Sequence, residues 1–159
     1  MMRLKSQIDA LFRPLIGQKA WGASVGYGSF VTIEFGRKRL YHGHYHGEWH
    51  VWLYLCEWKL FSGARQLADF ESKKRMMQLA IGNLNGTALT EIDFDPQNMA
   101  TTFSFDGDIH LRCEPFDDAP PDEECWMLFM PNGQVASLFE SGIKVSPADA
   151  VSATSLARR

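Results

Sequence analysis

EWHVWLYLCEWKLF, residues 48 to 61, is the stretch whose reading decides the fold. Strand side chains alternate with period two, so Trp49, Val51, Leu53 and Leu55 share one face, while Trp52, Tyr54, Cys56 and Trp58 share the other. Both faces are apolar at the middle. Such a strand is central and covered on both sides, or has one face lining a pocket. If the second face is open, Trp52, Tyr54 and Trp58 form an aromatic binding surface, because aromatic rings bury large area at small entropy cost.

Working outward, KAWGASVGYGSFVTIEFG (residues 19 to 36) reads as two strands around a glycine-rich turn, with Phe30, Ile33 and Phe35 in strand context. Its Gly26-x-Gly28 is not followed by a helix, so it lacks the helix N-terminus that a phosphate loop needs. Upstream, Leu4, Ile8, Leu11, Phe12 and Leu15 make an amphipathic helix that ends near Pro14 to Gly17. Downstream, Ser72 is placed to cap a helix through Leu84, with Met76, Leu79, Ala80 and Leu84 as its stripe and Asn85-Gly86 as its stop. TALTEIDFD, MATTFSFDGDIHLRCEPF and CWMLFMPNGQVASLF then read as an antiparallel meander, with hairpins at Asp106-Gly107 and Asn132-Gly133. The expected fold is α+β: one antiparallel, strongly curved sheet or open barrel with two helices packed against it. Residues 1–145 form the expected single domain, and residues 146–159 a flexible tail.

Composition fits a globular domain: 159 residues, 45% hydrophobic and 13% aromatic. A formal net charge of −3 offers no footprint for a phosphate backbone. The short basic runs Arg37–Arg39 and Lys73–Arg75 read as solvated surface, so no nucleic-acid partner is expected. Cys56, Cys113 and Cys125 show no C-x-x-C spacing and read as buried, reduced thiols. No apolar run approaches the length of a membrane span, and Lys5, Gln7, Asp9 and Arg13 interrupt any signal-like segment, so a cytoplasmic location is expected.

The second half, with LNGTAL, FSFDGDIHL and CWMLFMPNG, resembles a pattern found in small uncharacterised bacterial domains, some of them neighbours of contact-dependent toxin and immunity genes. The resemblance implies a fold and an immunity-like interaction role. It carries over no catalytic residue.

YHGHYHGEWHVW, residues 41 to 52, holds four of the five histidines. Extended pairing would put His42, His44, His46, Glu48 and His50 on one face. Gly36, His42, His44 and Glu48 resemble the first cupin motif, which implies a divalent metal ion, with His110 as a further ligand. Leu55 stands where that motif has a glycine, and Ala136 where the second motif has a histidine. Gly43 and Gly47 break the ladder, so the favoured reading is a solvated histidine-rich loop with no cofactor.

No serine lies in a G-x-S-x-G elbow, and the acidic segment Asp117–Glu124 lacks the spacing of a calcium loop. The reading that follows is a non-catalytic binding or interaction module whose partner is another protein. The alternative is a cupin-like metal-binding protein or metal-dependent enzyme using His42, His44, Glu48 and His110.

Overall fold

The computed structural model describes residues 2–41 and 43–148. Helix α1 (Met2–Phe12) and a 3-10 turn (Arg13–Leu15) lead into β1 (Trp21–Val25), β2 (Val31–Phe35), β3 (Arg39–Tyr41), β4 (His44–His46), β5 (Trp49–Leu53), β6 (Cys56–Ser62) and β7 (Arg65–Asp69). Helix α2 (Lys74–Gly82) follows, then β8 (Leu89–Asp95), β9 (Ala100–Phe105), β10 (Ile109–Pro115), β11 (Trp126–Phe129), β12 (Gln134–Phe139) and β13 (Gly142–Pro147). The chain is α+β, mostly antiparallel strand with two α-helices, as its periodicities predict.

The strands do not form the single curved sheet or open barrel expected. They divide into a six-stranded sheet, β1-β2-β5-β11-β12-β13, a five-stranded sheet, β7-β6-β10-β9-β8, and the separate hairpin β3-β4. The reason lies in the stretch read first. Tyr54 and Leu55 interrupt it, so β5 joins one sheet and β6 the other. The Tyr54 N–H turns aside to the Cys125 carbonyl, 3.2 Å away. That two-residue break shifts the alternation by one: Val51 and Leu53 point into the core before it, and Cys56, Trp58 and Leu60 after it.

Both sheets feed one core. Phe12 of α1 sits between them, its ring centroid 5.4 Å from Phe103 of the five-stranded sheet and 5.1 Å from Trp126 of the six-stranded one. The Trp126 indole N–H donates to Thr101 Oγ1 at 3.0 Å, so this fully buried ring also satisfies its polar atom.

Helix α2 is rotated from its expected stripe. Met77, Ala80, Ile81 and Leu84 are buried, whereas Met76 and Leu79 are exposed. Ser72 does not cap it, because its hydroxyl is engaged with Asp69. The hairpins at Asp106-Gly107 and Asn132-Gly133 form as read, joining β9 to β10 and β11 to β12. Gly107, Asp108 and Gly133 all have positive φ. Strand β13 reaches Pro147 and pairs with β12, two residues beyond the expected domain boundary. Residues 149–159 of the expected tail lie outside the described residues. Among the described residues, no helix is long and apolar enough to cross a membrane.

Candidate functional site

The antiparallel register of β2 and β5 sets Glu34 directly opposite His50, and β11 sets Phe129 on His50's other side. Glu34 and His50 are 5% and 7% exposed, unusual burial for such polar side chains. His46, at the end of β4, brings its Nδ1 to 3.8 Å from Glu34 Oε1. The two imidazoles meet edge to face, centroids 4.7 Å apart. His50 Nδ1 faces Glu34 Oε2, and the Trp52 indole N–H donates to His50 Nε2.

The indole can only donate. The His50 nitrogen that meets it is therefore bare, which leaves the ring proton to Nδ1, the nitrogen that lies beside the carboxylate. Glu34 gains another donor from the Gly47 N–H, at 2.7 Å from Oε1. Gly47 makes that approach possible: a Cβ there would lie 2.3 Å from the Phe35 carbonyl oxygen. The glycine read as a flexible point is a close-approach point. It pins the β3-β4 hairpin to the sheet.

Burial lowers the pKa of His46 below its usual 6.5, and the neighbouring His50 and His44 lower it further against the opposing pull of Glu34. His46 is thus held toward its neutral form.

Of the residues predicted as metal ligands, the described ones, His44, Glu48 and His110, do not come together. Glu48 Oε1 accepts the Arg37 N–H at 2.7 Å and braces the turn at Gly36. His44 is exposed on β4, and His42 lies outside the described residues. His110 belongs to the five-stranded sheet, where Ser104 Oγ contacts its Nδ1 at 2.8 Å and Asp108 its Nε2 at 2.7 Å. Among the described residues, Glu34, His46 and His50 come together instead, their ligand atoms all within 4.8 Å of one another. His46 and His50 stood out in the sequence. Glu34 did not, because only strand pairing places it beside them.

The predicted aromatic surface is also redistributed. Trp58 is fully buried, its indole N–H donating to the Ser29 carbonyl at 2.7 Å, because the break at Tyr54–Leu55 turns it inward. Trp52 and Tyr54 are half-buried around Phe30, at 5.1 and 5.2 Å, and Trp52 also packs on Phe129 at 4.6 Å. The outward-facing groups lie on the hairpin and the turn before it. Arg37, Lys38 and Arg39 are exposed, as are Leu40 (64%) and Tyr45 (59%). The Lys38 ammonium stands 4.8 Å from the Tyr45 ring centroid and 5.7 Å from that of Trp21.

The three cysteines are unpaired and buried, as read from the sequence. They also converge. Burial opposes ionisation of Cys113, yet hydrogen bonds from Cys125 and Cys56, with backbone and Arg112 contributions, bring it down to about 5. Its two thiol partners are pushed up, chiefly by hydrogen bonding to Cys113.

Compared with known protein families, curated proteins and solved structures, the chain matches none.

Proposed function

We propose that the protein is a non-catalytic binding module whose recognition element is the basic, aromatic segment 37–46, and that its partner is an acidic protein surface. The observation that carries this is the combination, on one anchored hairpin and the turn that leads into it, of three exposed cations with two exposed apolar side chains. Among the described residues, no ion pair joins Arg37, Lys38 or Arg39 to a carboxylate. Holding Glu34 and His50 out of water is costly, and such buried polar networks serve to fix one arrangement better than they add stability. Here the arrangement fixed is the hairpin's attachment, through Gly47 and His46. A pre-anchored surface loses less entropy on binding. This reading agrees with the immunity-like resemblance of the second half and moves the interaction surface from Trp52, Tyr54 and Trp58 to the hairpin.

Selection of a randomised displayed-peptide library on the immobilised protein tests it. Acidic peptides carrying an apolar residue should be enriched, and a variant with Arg37, Lys38 and Arg39 all changed to Gln should lose that enrichment. Enrichment without acidic residues sinks the proposal, and tighter binding to duplex DNA or single-stranded RNA replaces the partner class.

A second reading is supported by the convergence of one carboxylate and two imidazoles: a divalent-metal site at Glu34, His46 and His50. The Trp52 hydrogen bond counts against it, since an ion on His50 Nδ1 would displace the proton that this bond places there. A rise in melting temperature on adding Zn(II) or Mn(II), reversed by chelator and absent from Glu34→Gln, would favour the metal.

A further inference from the structure

Apart from the hairpin, three sulfurs meet where the two sheets adjoin. Cys56 opens β6, Cys113 lies in the neighbouring β10, and Cys125 immediately precedes β11. Their Sγ atoms all lie within 4.8 Å of one another. All three positions are rigidly framed: Cys113 is paired with Trp58 and Thr101 in the strand registers, Cys56 with Pro115, and the Cys125 N–H donates to the Leu138 carbonyl at 2.8 Å. Three sulfurs bonded to one ion at about 2.3 Å stand about 3.8 to 4.0 Å apart, so rotations that draw these side chains together by up to about an ångström enclose one.

A second feature points the same way. Cys125 borders a cleft of about 430 Å³ whose wall includes Glu114, Asp117, Glu123 and Glu140 and no Lys, Arg or His. The thioether residue Met99 stands on the same wall. A cleft lined by one sign of charge concentrates the opposite ion, and thiolate and thioether donors select soft ions over calcium or magnesium. The acidic loop that reads as solvated surface in the sequence is, in the fold, one wall of a cleft that Cys125 borders.

We propose that Cys56, Cys113 and Cys125 form a binding site for a thiophilic d10 metal ion, Cu(I) or Zn(II), that enters through the acidic cleft beside Cys125. The two ions make different demands. Cu(I) is satisfied by the three sulfurs, whereas Zn(II) takes a fourth ligand, an oxygen supplied from the cleft.

The test uses untagged, fully reduced full-length protein, titrated without oxygen with Cu(I) or with Zn(II), and the bound ion's nearest neighbours read by X-ray absorption. The expected result is one ion per chain with three sulfur neighbours for at least one of the metals. Sulfur alone identifies a copper site, and three sulfurs with one oxygen a zinc site. Binding should be lost in Cys113→Ser and kept in His50→Ala, which separates this site from the Glu34, His46 and His50 cluster. Nitrogen and oxygen neighbours only, fewer than three sulfurs in the wild type, or sulfur binding that survives Cys113→Ser overturns the proposal. The wild-type measurement decides the matter even if Cys113→Ser does not fold.

Discussion

Trp52 and Trp58 stand six positions apart on one ribbon and have opposite fates. Trp52, on β5, is half-buried and spends its indole N–H on a neighbouring histidine; Trp58, on β6, is wholly enclosed and spends its own on a backbone carbonyl. Composition does not separate them, since both halves of the ribbon are Trp-rich and apolar. What separates them is a two-residue break that moves the chain between sheets and inverts which parity faces the core. On the β5 side, residues of even number build a polar network beneath the hairpin. On the β6 side, residues of even number are core.

The comparison breaks most visibly at Trp58. Trp58→Ala should cost about 3 to 5 kcal/mol in urea unfolding, the range for truncating a fully buried large ring. A loss below about 1 kcal/mol would place Trp58 on a surface and restore one continuous strand. Gly47→Ala should cost about 1 to 3 kcal/mol by thermal melting, because the added methyl meets the Phe35 backbone and forces a shift. A neutral outcome would mean that the hairpin is not pinned at that point.

Trp52→Phe keeps a ring but removes the donor to His50, and should cost about 1 kcal/mol, the typical net worth of one hydrogen bond. Nitrogen NMR sharpens this: wild-type His50 should carry its proton on Nδ1, and in the variant, where only the Glu34 carboxylate still favours that tautomer, the preference should weaken. Observation of the Nε2-protonated tautomer in the wild type would contradict the network.

The pH dependence is smaller. His46 has a folded pKa below its unfolded value, so as pH falls through 6.5 the unfolded chain takes up a proton first. Stability is therefore fully present above pH 6.5 and declines below it until the folded pKa is passed. The midpoint of urea unfolding should fall between pH 7 and pH 5 by more in the wild type than in His46→Gln; equal slopes would show that His46 does not contribute. Smallest of all, His44→Gln should change stability by no more than about 0.5 kcal/mol, since the side chain is exposed on β4.

Much of the architecture is legible in local patterns. The period of α1 and the Asp106-Gly107 and Asn132-Gly133 turns are properties of a few consecutive residues and form as read, whereas the ribbon from Glu48 to Phe61, read as one strand, breaks at Tyr54 and Leu55. The stripe of α2 was harder. Met76 and Leu79 compete with Met77 and Ile81 as neighbouring apolar stripes, and only docking against the rest of the fold selects one. The candidate sites were half-legible. Two histidines of the cluster, His46 and His50, meet a carboxylate, but that partner, Glu34, comes from another strand, and the cupin-like set of His42, His44, Glu48 and His110 rested on a motif spacing that says nothing of strand pairing.

Local periodicity and turn chemistry thus determined, from the sequence alone, that the chain makes antiparallel strands and two helices, while the lack of any C-x-x-C spacing let its cysteines be read as buried thiols. Only the tertiary structure decided which strands pair, where the ribbon breaks, and which distant side chains meet. Pairing is non-local: Tyr54 turns toward Cys125, and Glu34 faces His50, through registers that depend on strands far apart in the chain. A one-residue change in alternation reverses every face beyond it, so the roles of Trp52 and Trp58 were settled by packing between sheets.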